Sequence, residues 1–133
     1  MATDTATLTR EQLAALPESY FRAVDAKDVD AILSHFADDA VLIVQTDHAR
    51  FEGADEIRRM FTDFCDNSAS IFHEIKNIVV EPAAGKVATE QSYIGELVDG
   101  TKNDMHNCNF FDIDADGKFS RVIIWMAGTN PLK

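Results

Sequence analysis

The sequence predicts an α+β domain in which three helical segments precede a curled antiparallel sheet. Up to residue 65, apolar residues return every three or four positions, the period of a helix with one buried stripe. From Ala69 onward that period vanishes, and β-rich runs occupy residues 70 to 81, 86 to 98, 102 to 113 and 118 to 127. Between them lie Pro82-Ala-Ala-Gly85, Asp99-Gly100 and Asp114-Ala-Asp-Gly117, and connections this short join antiparallel neighbours. Helices placed before a meander are expected to cover one of its faces.

Residues 1 to 8 are small and polar and are expected to form a mobile tail, leaving one domain over residues 9 to 133. Thr9 and Gln12 have the spacing of a capping box. Leu13, Leu16, Tyr20 and Val24 follow at helical spacing, but Pro17 has no N–H to donate, so the segment is one bent helix or two abutting ones. Asp28 can cap the next helix, whose stripe is Val29, Ile32, Leu33 and Phe36 before Ala37-Asp38-Asp39 breaks it. Ala40 to Val44 is a strand. After a turn at Glu52-Gly53, the residues Ile57, Met60, Phe61 and Phe64 make an amphipathic helix over 55 to 65, ended by Asn67-Ser68.

At 133 residues the chain can bury a core without staples. Acidic residues outnumber basic ones by 23 to 12, so the net field repels phosphate backbones and anionic headgroups, and no nucleic-acid partner is expected. The longest apolar stretches, Ala40 to Val44 and Val122 to Ala127, are too short to cross a bilayer. Residues 1 to 7 lack the charged and apolar regions of a signal peptide, so a reducing cytoplasm is expected, with Cys65 and Cys108 as free thiols. Four His and two Cys are dispersed without zinc-like spacing, and no metal is expected. Asp112-x-Asp114-x-Asp116-Gly117 matches half of a calcium loop, but Ile123 stands where a bidentate Glu is required, which makes it a hairpin turn. Arg58, Arg59 and Arg121 are expected to be exposed charges.

The run from Tyr20 to Ala40, closing on Phe36-Ala-Asp-Asp-Ala40, is followed by Phe51-Glu-Gly53 and then by Gly53-x-Asp55-Glu56-Ile57 at the start of a helix. Together these segments resemble the opening of the SnoaL-like and ketosteroid-isomerase-like families of the nuclear-transport-factor-2-like superfamily. The order of elements agrees over nearly the whole chain, and the motifs support fold more than chemistry. The resemblance implies a cone: a curved antiparallel sheet, mixed at its edge, covered by three N-terminal helices that close a mostly apolar cavity. It also implies a homodimer through the outer sheet face and a small apolar or cyclic substrate.

Laid beside a ketosteroid isomerase, Tyr20 falls at the oxyanion-hole tyrosine and Asn109 at the neutral aspartic acid, whose donor role an amide N–H can take over. The isomerase base falls at Val44, which has no proton affinity, so steroid isomerisation is disfavoured. Dehydratase-like and dehydrochlorinase-like relatives instead use a histidine after the third helix, oriented by an aspartate near the end of the first. His73 and Asp25 occupy those positions. A carboxylate on one ring nitrogen fixes the tautomer and raises the basicity of the other, which then takes a substrate proton. Tyr20 would hydrogen-bond a carbonyl or protonate a departing hydroxyl, and Asn109 would hold the developing charge. Asp25 lies roughly 140° around the helix from Tyr20; helix termination after Ala26 would rotate it inward, and the alternative is a solvated helix-end acid.

Strand parity groups His73, Ile75 and Asn77 on one face, and Asn107, Asn109 and Phe111 on one face of a later strand. If those faces line the cavity, His106 and Cys108 point outward. Ile124 and Met126 then share the wall, with Val44 completing it, and Trp125 goes to the outer face. Tyr93, in parity with Val87 and Gln91, is either a pocket hydroxyl or a dimer-face aromatic, while His35 and His48 are surface or loop residues. Three functions compete: a cofactor-independent lyase, a dehydratase or other β-elimination enzyme, using His73 and Asp25; a polyketide-cyclase-like or isomerase-like enzyme using Tyr20 and Asn109 with another base such as Asp47; and a non-catalytic ligand-binding or dimerisation domain. The last expects Asp25 and His73 to lie beyond hydrogen-bond reach.

Overall fold

Helix α1 (Arg10–Asp25) opens on a complete capping box: the Thr9 hydroxyl accepts from Gln12 N at 3.0 Å, and the Gln12 side chain accepts from Thr9 N at 2.8 Å. The computed structural model describes residues 8–127, so the expected tail lies outside it except for Leu8, which is partly buried against the core. Pro17 sits within one continuous helix rather than dividing two. The helix stops because Lys27 takes a left-handed φ of 57°, with the N–H groups of Lys27 and Asp28 returning to the carbonyls of Val24 and Ala23. Asp25 is thereby the last helical residue.

Helix α2 (Val29–Leu33) is capped by Asp28, which accepts from Ala31 N at 3.1 Å. Phe36, expected on the stripe of α2, instead begins strand β1 (Phe36–Val44), which also takes in Ala37-Asp38-Asp39. The ring is buried all the same. Strand β2 (Ala49–Glu52) was not foreseen, since four residues are too few for a period to show. Helix α3 (Gly53–Asp66) and strands β3 (Ser68–Glu81), β4 (Lys86–Leu97), β5 (Lys102–Ile113) and β6 (Phe119–Trp125) agree with the predicted runs to within a few residues. The Asp114 carboxylate accepts from Asp116 N and Lys118 N, both at 3.0 Å, so the calcium-like motif is a hairpin turn. Among the described residues no metal-ligating cluster occurs, and no helix is long and apolar enough to cross a membrane.

The six strands form a curved, unclosed sheet in the order β2-β1-β6-β5-β4-β3. All neighbours are antiparallel except β1 and β6, so the one parallel pair lies a strand in from the β2 edge. The helices pack on the inner face, where Tyr20, Phe61, Phe111 and Phe119 form an aromatic core. Strand β3 is the opposite edge, and its free side is met by α1 and the residue beyond its cap. Arg10 donates to Val80 O at 3.1 Å, Asp25 accepts from His73 N at 3.0 Å and Lys27 donates to Ser68 O at 2.8 Å.

A register shift between Ile75 and Asn77 breaks the parity of β3. His73 and Ile75 keep the inner side, but Asn77 moves to the outer face, where its amide donates to Glu90. His106 joins the same carboxylate. Phe72, Ile94, Phe110 and Trp125 are each about half exposed, with Trp125 outward as its parity predicts.

Candidate active site

Between α1, α3 and the inner face of β3 to β6 lies a half-open cavity whose empty space, counting its mouth to solvent, is about 400 Å³. Phe21, Val24, Phe61 and Phe64 wall it from the helices; Ile124 and Met126 wall it from β6 and just beyond. Its polar lining is Tyr20, His73, Gln91, Tyr93, Asn107 and Asn109, of which the His73 imidazole is the group suited to serve as a base. Among the described residues neither Lys nor Arg lines it, which suits a neutral ligand. Met126 also lines the outer groove beside Trp125, so a flexible thioether stands between the cavity and the exterior.

Asp25 lies behind this wall and reaches it through His73. Its Oδ1 accepts from His73 Nδ1 at 2.7 Å, while its Oδ2 accepts from the His73 backbone N–H at 3.0 Å. One carboxylate thus clamps both the ring and the strand that carries it. An acid at a helix C-terminus opposes the helix dipole, and these two bonds, with Arg22 at 3.8 Å, offset that cost. The side chains of His73 and Asp25 are 12% and 14% exposed, so the pair is shielded without being sealed. Phe21 stacks on the imidazole at 4.8 Å between centroids, and Tyr93 lies alongside at 5.2 Å. With Nδ1–H donated to Asp25, Nε2 carries the lone pair and has no protein partner among the described residues.

Tyr20 is 3% exposed, and burial, with the Cys65 thiol as a lesser cause, pushes its phenol well above the ordinary 10.0. It therefore stays protonated and acts as a donor. Its side chain lines the cavity. Asn109 accepts from Gln91 Nε2 at 3.0 Å, and Gln91 accepts from Thr89 Oγ1 at 2.7 Å. Asn107 accepts from Ala127 N at 3.1 Å. In both asparagines the carbonyl is engaged and the amide nitrogen is the group left over.

The structure thus brings Tyr20, His73, Asn107, Asn109, Ile124 and Met126 to one cavity, with Asp25 behind it. Val44 and Phe111, expected on the wall, are fully buried in the core and do not line it. Phe111 is drawn away by its contact with Phe119 at 4.8 Å, and Val44 by the parallel pairing of β1 with β6. Asp47, the alternative base, sits in a 3-10 turn (Gln45–Asp47) and does not line the cavity.

Tyr93 resolves to the inner face: its ring walls the cavity, and its hydroxyl lies over Gly95, where a Cβ would come within 2.5 Å of it. Burial raises its pKa, and nearby Asn103 opposes the rise; the contact still falls short of hydrogen-bond geometry, leaving both the hydroxyl and Asn103 Nδ2 without partners. His35 is held by Ser19 and the Ala31 carbonyl, both at 2.8 Å, and His48 is exposed in a turn. Cys65 and Cys108 are free, each pushed up chiefly by burial and so kept as thiols. Gln91 and Thr89 were missed by the sequence reading. The signal that would have found them is a polar pair at inward parity on the strand beside Asn109.

A curved, unclosed sheet covered by three helices, with a largely apolar pocket between, defines the cone-fold class. The chain belongs to the SnoaL-like domain family, whose pattern matches residues 18–122. Among curated proteins none matches it. A Novosphingobium aromaticivorans protein, provisionally named an aromatic ring hydroxylase, is similar at 26% identity with a TM-score of 0.84, covering 93% of this chain and 96% of its own. An LEH-like epoxide hydrolase of M. tuberculosis shares the fold at 16% identity and a TM-score of 0.76, over 88% of this chain and 84% of its own. The epoxide hydrolase/cyclase-like enzyme SalBIII of salinomycin pyran-ring formation does so at 19% identity and 0.79, over 88% and 92%.

Proposed function

We propose that the protein is a cofactor-independent lyase that eliminates water, or a comparable leaving group, from a small neutral ring-bearing substrate. The observation that carries this reading is the Asp25 clamp on His73, which leaves Nε2 as a base on a cavity that no other charged side chain lines among the described residues. Nε2 takes the proton from the carbon beside a carbonyl. The C–H electrons pass into an enolate, whose oxygen is met by the Tyr20 hydroxyl and the Asn109 amide. The enolate collapses to a C=C bond as the β-hydroxyl departs, and that oxygen takes the proton back from the imidazolium to leave as water, which restores the neutral His73 base. The reading with Asp47 as base has less support, since that carboxylate lies off the cavity.

The test uses a set of cyclic β-hydroxy ketones, with the conjugated enone followed by its absorbance. The wild-type protein turns over at least one of them, and His73→Ala abolishes that turnover while keeping the cooperative thermal transition. Unchanged turnover in His73→Ala sinks the assignment.

The partner we propose is a second copy of this chain, docked on the outer sheet face. Support comes from register: Val79, Ala88, Phe110 and Ile123 are successive cross-strand neighbours, an apolar row that no described element covers. Light scattering checks it, with a dimer mass expected for wild type and a monomer mass for Phe110→Lys. A monomer mass for wild type at high concentration rejects it.

A further inference from the structure

Three polar side chains in or just behind the cavity wall are buried almost completely: Thr89, behind it, and Gln91, in it, are 1% exposed, and Asn109, also in it, is 2%. They form one line. Thr89 and Gln91 share the inner side of β4, and Asn109 is the cross-strand neighbour of Thr89 on β5. Thr89 Oγ1 donates to Gln91 Oε1 at 2.7 Å, and Gln91 Nε2 donates to Asn109 Oδ1 at 3.0 Å. Apolar residues at 89 and 91 would fill this space without any need for partners, so burying the pair in hydrogen-bonding contact with a cavity residue calls for another reason.

The line has a direction. In the structure the Gln91 carbonyl accepts from the Thr89 hydroxyl, and the Gln91 amide nitrogen faces Asn109 on β5. That nitrogen occupies the Asn109 carbonyl, so the Asn109 N–H groups are the ones left for the cavity. We infer that Gln91, backed by Thr89, is a positioning residue that holds Asn109 with its amide N–H, and not its carbonyl, toward the oxygen that becomes negative in the reaction. This rests on the proposed role of Asn109 as an oxyanion donor. An asparagine free to flip would present a carbonyl half the time, and a carbonyl dipole aimed at an enolate repels what the N–H attracts.

The experiment uses 4-nitrophenol, whose coloured phenolate is an oxyanion on a neutral ring. Bound in the cavity, it reports through its own ionisation how many donors face its oxygen, with no turnover required. Gln91→Leu raises the pH at which the bound probe ionises by about one unit, a tenfold change in its ionisation constant, and Thr89→Val raises it by less. Asn109→Ala raises it as well, and adding Gln91→Leu to Asn109→Ala moves it no further, because the two act through one amide. A merely structural Gln91 would lower the thermal midpoint and leave the ionisation of the bound probe where it was, which overturns the inference, as does failure of the wild-type cavity to bind the probe. Should Gln91→Leu not fold, the wild-type protein carries the test by NMR. There adding 4-nitrophenol shifts the Asn109 side-chain amide resonances more than those of Gln91, and an Asn109 shift no larger than that of Gln91 overturns the inference. Unchanged turnover in His73→Ala would sink the lyase reading while leaving this result standing, so the two failures are distinguishable.

Discussion

Among the described residues, two histidine–carboxylate pairs lie on opposite sides of one sheet. Inside, His73 meets Asp25 at 2.7 Å; outside, His106 meets Glu90 at 2.5 Å. By distance alone the outer pair is the better one. The inner side chains are 12% and 14% exposed and the outer ones 56% and 42%, so solvent screens the outer pair and competes for its hydrogen bonds. The inner imidazole is further fixed by Phe21, by Tyr93 and by a carboxylate that also grips its backbone. Asn77 shares Glu90 with His106, and the two hydrogen bonds, that from His106 first, hold the Glu90 carboxyl below its ordinary range. Contact with a carboxylate is therefore common to both; what separates a candidate base from a surface ion pair is a fixed ring orientation and a cavity at its free nitrogen.

The largest effect that would break this contrast is on turnover. His73→Ala and Asp25→Asn are each expected to cost roughly 10²–10⁴-fold in kcat, whereas His106→Ala leaves kcat within about twofold, since it removes nothing from the cavity. Asp25→Asn is the sharper of the two, because its amide can donate to Nδ1 and so force the proton onto Nε2, abolishing the base while keeping the contact. Equal losses from His73→Ala and His106→Ala would erase the distinction. Next comes Phe21→Ala, which removes a buried ring from the core and from the face of His73; urea unfolding is expected to show a loss of about 3–5 kcal/mol.

Smaller effects lie at the two ends of the pH scale. The Tyr20 pKa is raised by folding, so its contribution to stability is complete below the ordinary value of 10.0 and is lost as pH rises toward the folded value. Tyr20→Phe is expected to flatten the alkaline limb of a thermal-midpoint profile. Glu90 behaves oppositely. Its pKa is lowered by folding, so its contribution is present above 4.5 and is lost as pH falls through the folded value. Glu90→Gln is expected to flatten the acid limb slightly and leave turnover alone.

The fold was legible because its elements are long and their periods unmixed. Thr9, Asp28 and the stripe from Ile57 to Phe64 announce the helices, and the turns at Gly85, Gly100 and Gly117 separate the strands. What failed was local. The pattern could not show that α2 stops before Phe36, nor reveal a four-residue β2. Parity carried His73 correctly but not Asn77, because one extra residue in β3 reverses every side beyond it and leaves no mark on composition. Val44 and Phe111 have inward parity yet miss the cavity, since facing the helices and facing the pocket are the same thing to an alternation rule. Gln91 was noted only as a neighbour of Tyr93. Its importance comes from a partner two strand positions away and another on the next strand, which a linear pattern does not join.

Asp25 has a second consequence, visible in its other oxygen. Strand β3 is an outer edge of the sheet, and an uncovered edge is a template on which a strand from another copy can pair. Asp25 Oδ2 occupies the His73 N–H on that edge, as Arg10 and Lys27 occupy two of its carbonyls. Removing the carboxylate thus also uncovers an N–H on which a strand from another copy can pair. An acid at position 25 therefore has a use that does not depend on any role of the ring: one oxygen guards the strand whatever the other does beside His73.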